Sequence, residues 1–465
     1  MVYDVAVVGS GFSAIAETVN LLQLLPPSAS IAVVGDDPGF GRGTAYRTEL
    51  YVHRLNVPAA RMSIFVDQPD DFVLWLRDQD RAISPHGFAS RDDYGRYIRD
   101  RLASLLRNRD NRPTLHFVKA KALACDQCMT GKVTFQLDNG TKLDAANVVL
   151  CLGVGNAALP VEPACVTSPQ MDRIISNPWR LGWLSQVEPN HTVCILGSGL
   201  TMVDQVLALR AHGHRGRIHV LSRRGLVSHP HFNVKVEPVT PELPRSREIS
   251  MLLSGIRRQV RAGADWRGVM DGLRPLTQRL WQELSQAQKS RFLRHALAWW
   301  NIHRHRLAPD VFTRLAALIG DGTLTVHKGF LRSLDEEAGR LSFEFRPRGS
   351  LGGVRMRTDW IVNCTGMERA GIAHSPLLRQ MLDDGMISVD KLGLGIRVGG
   401  NSQVLDADGN PQPGLFSIGA LTAGQFWEIT AVPDIRVQAR HVATAISEGL
   451  SSAAGPHCST LAFAE

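Results

Sequence analysis

The chain has 465 residues, more than one hydrophobic core usually serves, so two or more domains are expected. Its 44% apolar and 21% charged composition is that of a globular enzyme, and no apolar run approaches the length needed to span a bilayer. A formal net charge of +8 comes without any compact Lys/Arg block interleaved with aromatics. Nucleic acid is therefore not expected as a partner, and phosphate-bearing cofactors are a sufficient reason for part of the charge.

The N-terminus enters a strand directly and lacks the basic region and cleavage site of a signal peptide, so a cytoplasmic protein without a membrane partner is expected. That strand, Val5-Ala6-Val7-Val8, leads into Gly9-Ser10-Gly11-Phe12-Ser13-Ala14 and then a helix-period segment. Strand, glycine turn and helix in this order form a dinucleotide fingerprint. Gly9 permits the tight turn, Gly11 lets the backbone approach a pyrophosphate, and Ala14 stands where the third glycine often sits. The uncompensated N–H groups and dipole of the helix start, from Phe12 and Ser13 on, would face the phosphates. A second strand is expected at Ser30–Val34. The acid that binds the adenosine ribose would then be Asp36 or Asp37, although Gly35 stands at the usual place.

A non-repetitive excursion follows from Gly39 to Leu106. It contains Gly41-Arg42-Gly43-Thr44-Ala45-Tyr46, which resembles the loop that in two-dinucleotide flavoproteins carries the chain past the flavin pyrophosphate; Arg42 is then placed to pair a phosphate, with Ala45 and Tyr46 following it. Next comes the turn-rich stretch His53 to Ser63, which either lines a flavin ring through Asn56, Val57 and Met62 or is an ordinary loop. Asn56 is the candidate hydrogen-bonding group at the reactive edge. Leu115 to Val149 reads as a three-strand antiparallel segment, with the turn Leu137-Asp138-Asn139-Gly140. Its last strand ends in Cys151-Leu152-Gly153. Between its strands, Cys125 and Cys128 have redox spacing, but no helix start is there to lower a thiol pKa; two loop or hairpin thiols is the simpler reading. Cys151, Cys194 and Cys364 lie in apolar strands and read as small core residues.

The scheme then repeats. Val193–Leu196 leads into Gly197-Ser198-Gly199-Leu200-Thr201-Met202, and a later apolar strand ends in Cys364-Thr365-Gly366. Past the strand at Ile218, Ser222-Arg223-Arg224 stands where an NAD-specific site carries an acid. Arginine and serine there suit the 2′-phosphate of NADPH; solvent arginines are the alternative. From about Val239 to Ile319 the composition is that of a helical insertion. Within it Arg291 to Arg306 is either an amphipathic helix or a cap whose residues meet an acidic substrate or the nicotinamide cofactor. Near the C-terminus, Gly414–Gly419 reads as a strand ending in glycine, followed by Ala420. A helix is expected to start near Gln425 and run to about Gly449, its N-terminus aimed at the flavin. Trp427 and Glu428 are candidate catalytic groups, or with Asp434 merely caps, and Thr430 is a candidate flavin contact.

Together these segments predict an α/β fold with two Rossmann-like dinucleotide-binding domains, for FAD and NADPH, and a helical insertion. The expected boundaries are 1–165 and 366–465 for the FAD domain, 166–238 and 320–365 for the NADPH domain, and 239–319 for the insertion.

Gly-Arg-Gly-Thr-Ala-Tyr at 41–46, Leu-Asn-Val-Pro-Ala at 55–59, Gly-Ser-Gly-Leu-Thr-Met-Val-Asp at 197–204 and Trp-Glu-Ile-Thr-Ala-Val-Pro-Asp-Ile-Arg at 427–436 carry a resemblance to the bacterial FAD/NAD(P)-binding flavoproteins. That group is similar in layout to the flavin-dependent N-hydroxylating and other class B monooxygenases. The resemblance implies NADPH reduction of FAD and a flavin hydroperoxide that oxygenates a heteroatom, an amine nitrogen foremost, of a small polar metabolite. The Gly-Asp that usually ends the return strand is here Gly419-Ala420, which leaves the flavin ribityl contact to another group. The linker Ser176-Asn177-Pro178-Trp179 lacks the Baeyer–Villiger signature, which argues against that chemistry. The competing expectations are a flavin reductase without oxygen insertion and a redox-sensing scaffold. A small-molecule substrate and O2 are the expected partners, and no metal is expected. Self-association is left open.

Overall fold

The computed structural model describes residues 2–37, 40–107, 111–127, 131–155, 157–167, 171–232, 236–366, 372 and 375–453. Two sheets organise the described residues, one of eight strands and one of seven. In chain order the strands are β1 (Val2–Val8), β2 (Ser30–Val34), β3 (Thr114–Val118), β4 (Ala122–Gln127), β5 (Val133–Leu137) and β6 (Lys142–Leu150). Then follow β7 (Ile174–Ile175), β8 (Val193–Leu196), β9 (Ile218–Ser222), β10 (Leu324–Glu337), β11 (Arg340–Pro347), β12 (Val354–Thr358), β13 (Trp360–Asn363), β14 (Gln403–Leu405) and β15 (Pro411–Ser417).

The first sheet runs β14-β15-β6-β1-β2-β3, and the β4–β5 hairpin branches from β6. Its central strands are parallel and continuously apolar because both faces are covered. Val5, Val7, Ile31 and Val33 point into a core shared with helices Phe12–Leu24, Arg91–Arg107 and Val432–Ala453. The alternate residues Ala6, Val8, Ala32 and Val34 pack under the hairpin and helix Pro376–Asp383. The second sheet, β12-β11-β10-β9-β8-β13-β7, divides its residues in the same way. Val193, Ile195, Ile218 and Val220 meet helix Leu200–Ala211, while Cys194, Leu196 and Leu221 pack against β10 and β11.

Leu115 lies on β3, which pairs parallel to β2, so the antiparallel segment is β4–β5–β6 rather than a run from Leu115. Cys125 is a hairpin thiol, on β4 of the β4–β5 hairpin. Burial pushes its thiol up to about 12, and Cys128 and Cys458 lie outside the described residues. Residues 421–431 form turns, and the last helix starts at Val432 instead of near Gln425. Pro433 explains the delay: it lacks an N–H and is best accommodated in a helix's first turn. The insertion is helical, with six α-helices among the described residues between Ile249 and Gly320. A π-helical turn at Phe292–Ala296 interrupts the Arg291–Arg306 stretch. No helix among the described residues is long and apolar enough to cross a membrane.

Polar contacts lock the two halves together. Arg91 donates to Asp204 at 3.0 Å, both being largely buried. His53 Nε2 lies 3.0 Å from the Asp204 carbonyl, which can only accept, so Nε2 carries the proton. Nδ1 then accepts from the Thr48 hydroxyl at 2.7 Å.

Candidate active site and cofactor cradles

Gly9 has φ +140°, and a Cβ there would lie 2.4 Å from the Cys151 carbonyl oxygen. Only glycine lets the turn after β1 rest on the end of β6. Gly11 precedes helix Phe12–Leu24 in extended conformation, with no side-chain cap and no acid in the first turn. The N–H groups of that end, at Phe12, Ser13 and Ala14, remain available to an anion. The Gly41 N–H donates to the Ser10 carbonyl at 2.9 Å, and a Cβ on Gly43 would come within 2.9 Å of Gly11 Cα. The 41–46 loop is thus seated on the fingerprint turn. Arg42 Nε is buried there without a hydrogen-bond partner, an orphaned donor suited to a phosphate.

Tyr46 packs edge-on against Phe12 and Tyr94, and burial raises its hydroxyl to about 12. Ala45 precedes it in the same short helix. A Cβ on Gly419 would meet Ser13 Oγ at 2.4 Å, so the end of β15, with Ala420 behind it, closes over the first turn. Gly153 follows β6 at that same end. Asp36, just past β2, is half exposed and 3.2 Å from Lys121 Nζ; Asp37 faces Arg47 at 3.9 Å. Gln438 went unnoticed in the sequence: buried, it accepts from the Gly419 N–H and donates to Ser402 and Thr422. A glutamine inside a helix gives no sequence signal of such a role. These residues fit a dinucleotide such as FAD by an uncapped helix start, an orphaned guanidinium and a Cβ-free turn.

The second cradle repeats the first in detail. Gly197 has φ +99°, and a Cβ would lie 2.3 Å from the Cys364 carbonyl oxygen. Gly199 precedes helix Leu200–Ala211, again extended and without a side-chain cap, which leaves the Leu200 and Thr201 end open. Gly366 follows β13 as Gly153 follows β6. The Ser222 hydroxyl is engaged within its own loop, 2.9 Å from Ser198 Oγ and accepting from the Gly225 N–H. Arg223 is exposed, and Arg224 donates to the His295 carbonyl at 3.4 Å. The two arginines are therefore the groups at this strand end that can turn to a phosphate.

The helical insertion docks on the turns before the last helix. Trp427 stacks on Trp281 with centroids 4.4 Å apart, and Phe292 meets it edge-on. Trp281 Nε1 donates to the Gly424 carbonyl at 2.9 Å, and Trp427 Nε1 is buried without a partner. The neighbouring Glu428 has φ +65° and a side chain that is 9% exposed. It accepts from Trp300 Nε1 at 2.6 Å and from Arg304 Nε at 2.8 Å, with His305 Nε2 3.6 Å away. Trp300 and Arg304 are four apart on helix Leu297–Arg304, so both reach the carboxylate from one face. Asp434, at the start of the last helix, lies 3.6 Å from Arg274, and Arg306 pairs with Asp271. Thr430 is exposed, and its N–H meets the Glu428 carbonyl.

The Asn56 backbone carbonyl accepts from His231 Nε2 at 3.0 Å. Val57 is half-buried and Met62 fully buried in the first core. Asn56 is thus tied to His231 and Glu428 to Trp300 and Arg304, while Trp427 lies in the stack with Trp281. Arg274, Asp271 and His231 were missed, because nothing in their local sequence distinguishes them from surface residues. The one signal was the density of basic and aromatic residues from Arg291 to Arg306.

Burial, with Arg306 close by, lowers His231 from 6.5 to about 4. The folded state favours the neutral ring, so its contribution is complete above pH 6.5 and fades as pH falls towards 4. We predict that the urea midpoint falls between pH 7 and pH 5, and falls less steeply in His231→Asn. Equal slopes in the two proteins would exclude His231 as a source.

Residues 6–155 match the FAD-NAD(P)-binding family. Over these residues the chain is similar to an FAD- and NAD(P)-binding family, and its two-domain fold is similar to that of solved N-hydroxylating monooxygenases. Among solved structures, the ornithine N-hydroxylase of Kutzneria sp. 744, with reduced FAD, NADP+ and L-ornithine, superimposes with TM-score 0.68 at 14% identity, covering 97% of this chain and 100% of that one. The L-lysine 6-monooxygenase of Pseudomonas syringae gives TM-score 0.65 at 16% identity, covering 96% and 100%. In sequence, the nitrosuccinic acid synthase of Aspergillus oryzae (strain ATCC 42149 / RIB 40) is 27% identical over 229 residues, 45% of this chain. The match spans 34% of the length of that curated relative.

Proposed function

We propose that the chain is an NADPH-dependent FAD monooxygenase that oxidises the amine nitrogen of a small polar metabolite. The observation that carries this reading is the pair of uncapped glycine cradles, each closed on the end of a neighbouring core strand. The likeness to ornithine and lysine N-hydroxylases supports it, as does a relative named for an N-oxidised product. Bound FAD supplies the redox and oxygen chemistry. The reaction is R–NH2 + O2 + NADPH + H+ → R–NHOH + NADP+ + H2O.

In this reading the chain's residues position and exclude water. Gly9, Gly11 and Arg42 hold the FAD pyrophosphate, and Gly197, Gly199, Arg223 and Arg224 hold NADPH. Trp427 excludes water under the docked insertion, Glu428 orders that contact, and Asn56 stands at the substrate side. A reductase working through a dithiol has less support, since Cys125 is buried with its thiol raised.

The test mixes the FAD-loaded protein with NADPH or NADH under air, with and without amines, and follows flavin absorbance and peroxide. The expected result is faster reduction by NADPH, followed by a transient band distinct from oxidised and reduced flavin. Immediate reoxidation with stoichiometric peroxide for every amine tried overturns the oxygen-insertion reading, and no reduction at all overturns the enzyme.

A further inference from the structure

The turn after β9 carries Arg223 and Arg224, and the neighbouring strand brings a third cation to the same place. β10 runs parallel to β9 with Lys328 in register with Ser222. Parallel partners stand about 4.8 Å apart and point to the same face of the sheet. On β9 that face also carries Ile218 and Val220, which pack against helix Leu200–Ala211, the helix left uncapped at Gly199. Leu196, the last residue before the second glycine turn, pairs with Leu221. Ser222 and Lys328 therefore lie at the strand end where that turn opens.

The arginine turn is folded onto Lys328. Gly225 has φ +61°, and a Cβ there would come within 3.0 Å of Lys328 Cβ. On β10's other side, the Arg348 N–H donates to the Lys328 carbonyl at 3.0 Å. The start of the Lys328 side chain is thus fixed beside the turn, while the residue as a whole is exposed. Among the described residues Lys328, Arg223 and Arg224 make no ion pair. The ion-paired carboxylates of β10 and β11, Asp335, Glu337 and Glu344, are held by Arg355 and Arg357 of β12. Three like charges gathered at one turn repel one another and gain from an anion between them.

Ser222 cannot supply that site with a donor. Ser198 Oγ spends its hydrogen on the Leu226 carbonyl at 2.6 Å, so the hydrogen shared by Ser198 and Ser222, 2.9 Å apart, comes from Ser222. Ser222 ties the glycine turn to the arginine turn, and Lys328, next to it, offers an ammonium with three N–H donors. A phosphate monoester has three acceptor oxygens and close to two negative charges, which suits donors arriving from separate chain segments.

We infer that Lys328 is a ligand of the 2′-phosphate of NADPH, set beside Arg223 and Arg224 from a strand about a hundred residues further along the chain, and that it helps decide NADPH over NADH. The inference rests on the NADPH reading above and is independent of the oxygen chemistry.

The test uses two probes that differ in the 2′-phosphate alone. Adenosine 2′,5′-bisphosphate and 5′-AMP are titrated calorimetrically into the FAD-loaded protein and into its Lys328→Gln and Lys328→Arg variants. Wild type is expected to bind the bisphosphate more tightly than 5′-AMP. Lys328→Gln should weaken the bisphosphate about tenfold, the loss of one charge-assisted contact, and leave 5′-AMP within about twofold. Lys328→Arg should retain most of the affinity. In anaerobic flavin reduction the half-saturating NADPH concentration should rise with the bisphosphate loss, and that of NADH should not. Lys328 is exposed, so both variants are expected to fold. Bisphosphate affinity unchanged in Lys328→Gln, while Arg223→Gln loses it, overturns the role of Lys328 and leaves the NADPH reading standing. An equal loss for both probes shows a general field rather than a contact and also overturns it. Wild type that binds the two probes alike overturns the NADPH reading and this inference together.

Discussion

Replacing Glu428 with alanine is expected to destabilise the protein by about 3–5 kcal/mol, the usual result of removing one partner of a buried ion pair. Arg304, 11% exposed, would be left as an uncompensated buried cation, and Trp300 Nε1 would lose its acceptor. Glu428 also occupies the left-handed region at φ +65°, which alanine does not relieve. Glycine does, so Glu428→Gly should recover about 1–2 kcal/mol of the loss, the cost of that conformation for an L-residue. Glu428→Gln keeps an acceptor for Trp300 without the charge and should fall between wild type and alanine. Denaturant melts of the four proteins provide the comparison. An alanine variant within about 1 kcal/mol of wild type, the range of an exposed pair, would show that the Glu428 pair contributes little to docking the insertion.

The second large effect separates the two cradles. In Gly9→Ala the new Cβ meets the Cys151 carbonyl oxygen at 2.4 Å, and in Gly197→Ala the Cys364 carbonyl oxygen at 2.3 Å. Both neighbours are backbone at the end of a core strand and cannot swing aside. Strain at positive φ costs about 1–3 kcal/mol, and overpacking adds about as much again. The cost falls on the turn that would hold the cofactor. Gly9→Ala should purify without flavin, while Gly197→Ala should retain it and lose NADPH-dependent reduction. Flavin content by absorbance and reduction under anaerobic conditions read the two losses separately. If Gly9→Ala kept its flavin and Gly197→Ala lost it, the assignment of the cradles would be reversed.

The parallel strands and their glycine turns were legible because their signals are local. A continuous apolar run such as Val5–Val8 means burial on both faces, and a glycine pair at its end means a close backbone approach. The positions of Ser222 and the start of the last helix were less legible. The sequence offers Ser222 as a phosphate ligand, but its hydroxyl is already engaged near Ser198 and by Gly225. The apparent helix start near Gln425 gives way to turns that place Glu428 against the insertion.

The sequence by itself determined two dinucleotide folds, their order in the chain and an insertion rich in helix formers, since each rests on periodicity and turn chemistry within a few tens of residues. Only the tertiary structure decided that Arg274 meets Asp434, Arg304 meets Glu428 and Arg306 meets Asp271. Their charges act through space, and no spacing along the chain records which helix ends meet when the insertion packs on the turns before the last helix.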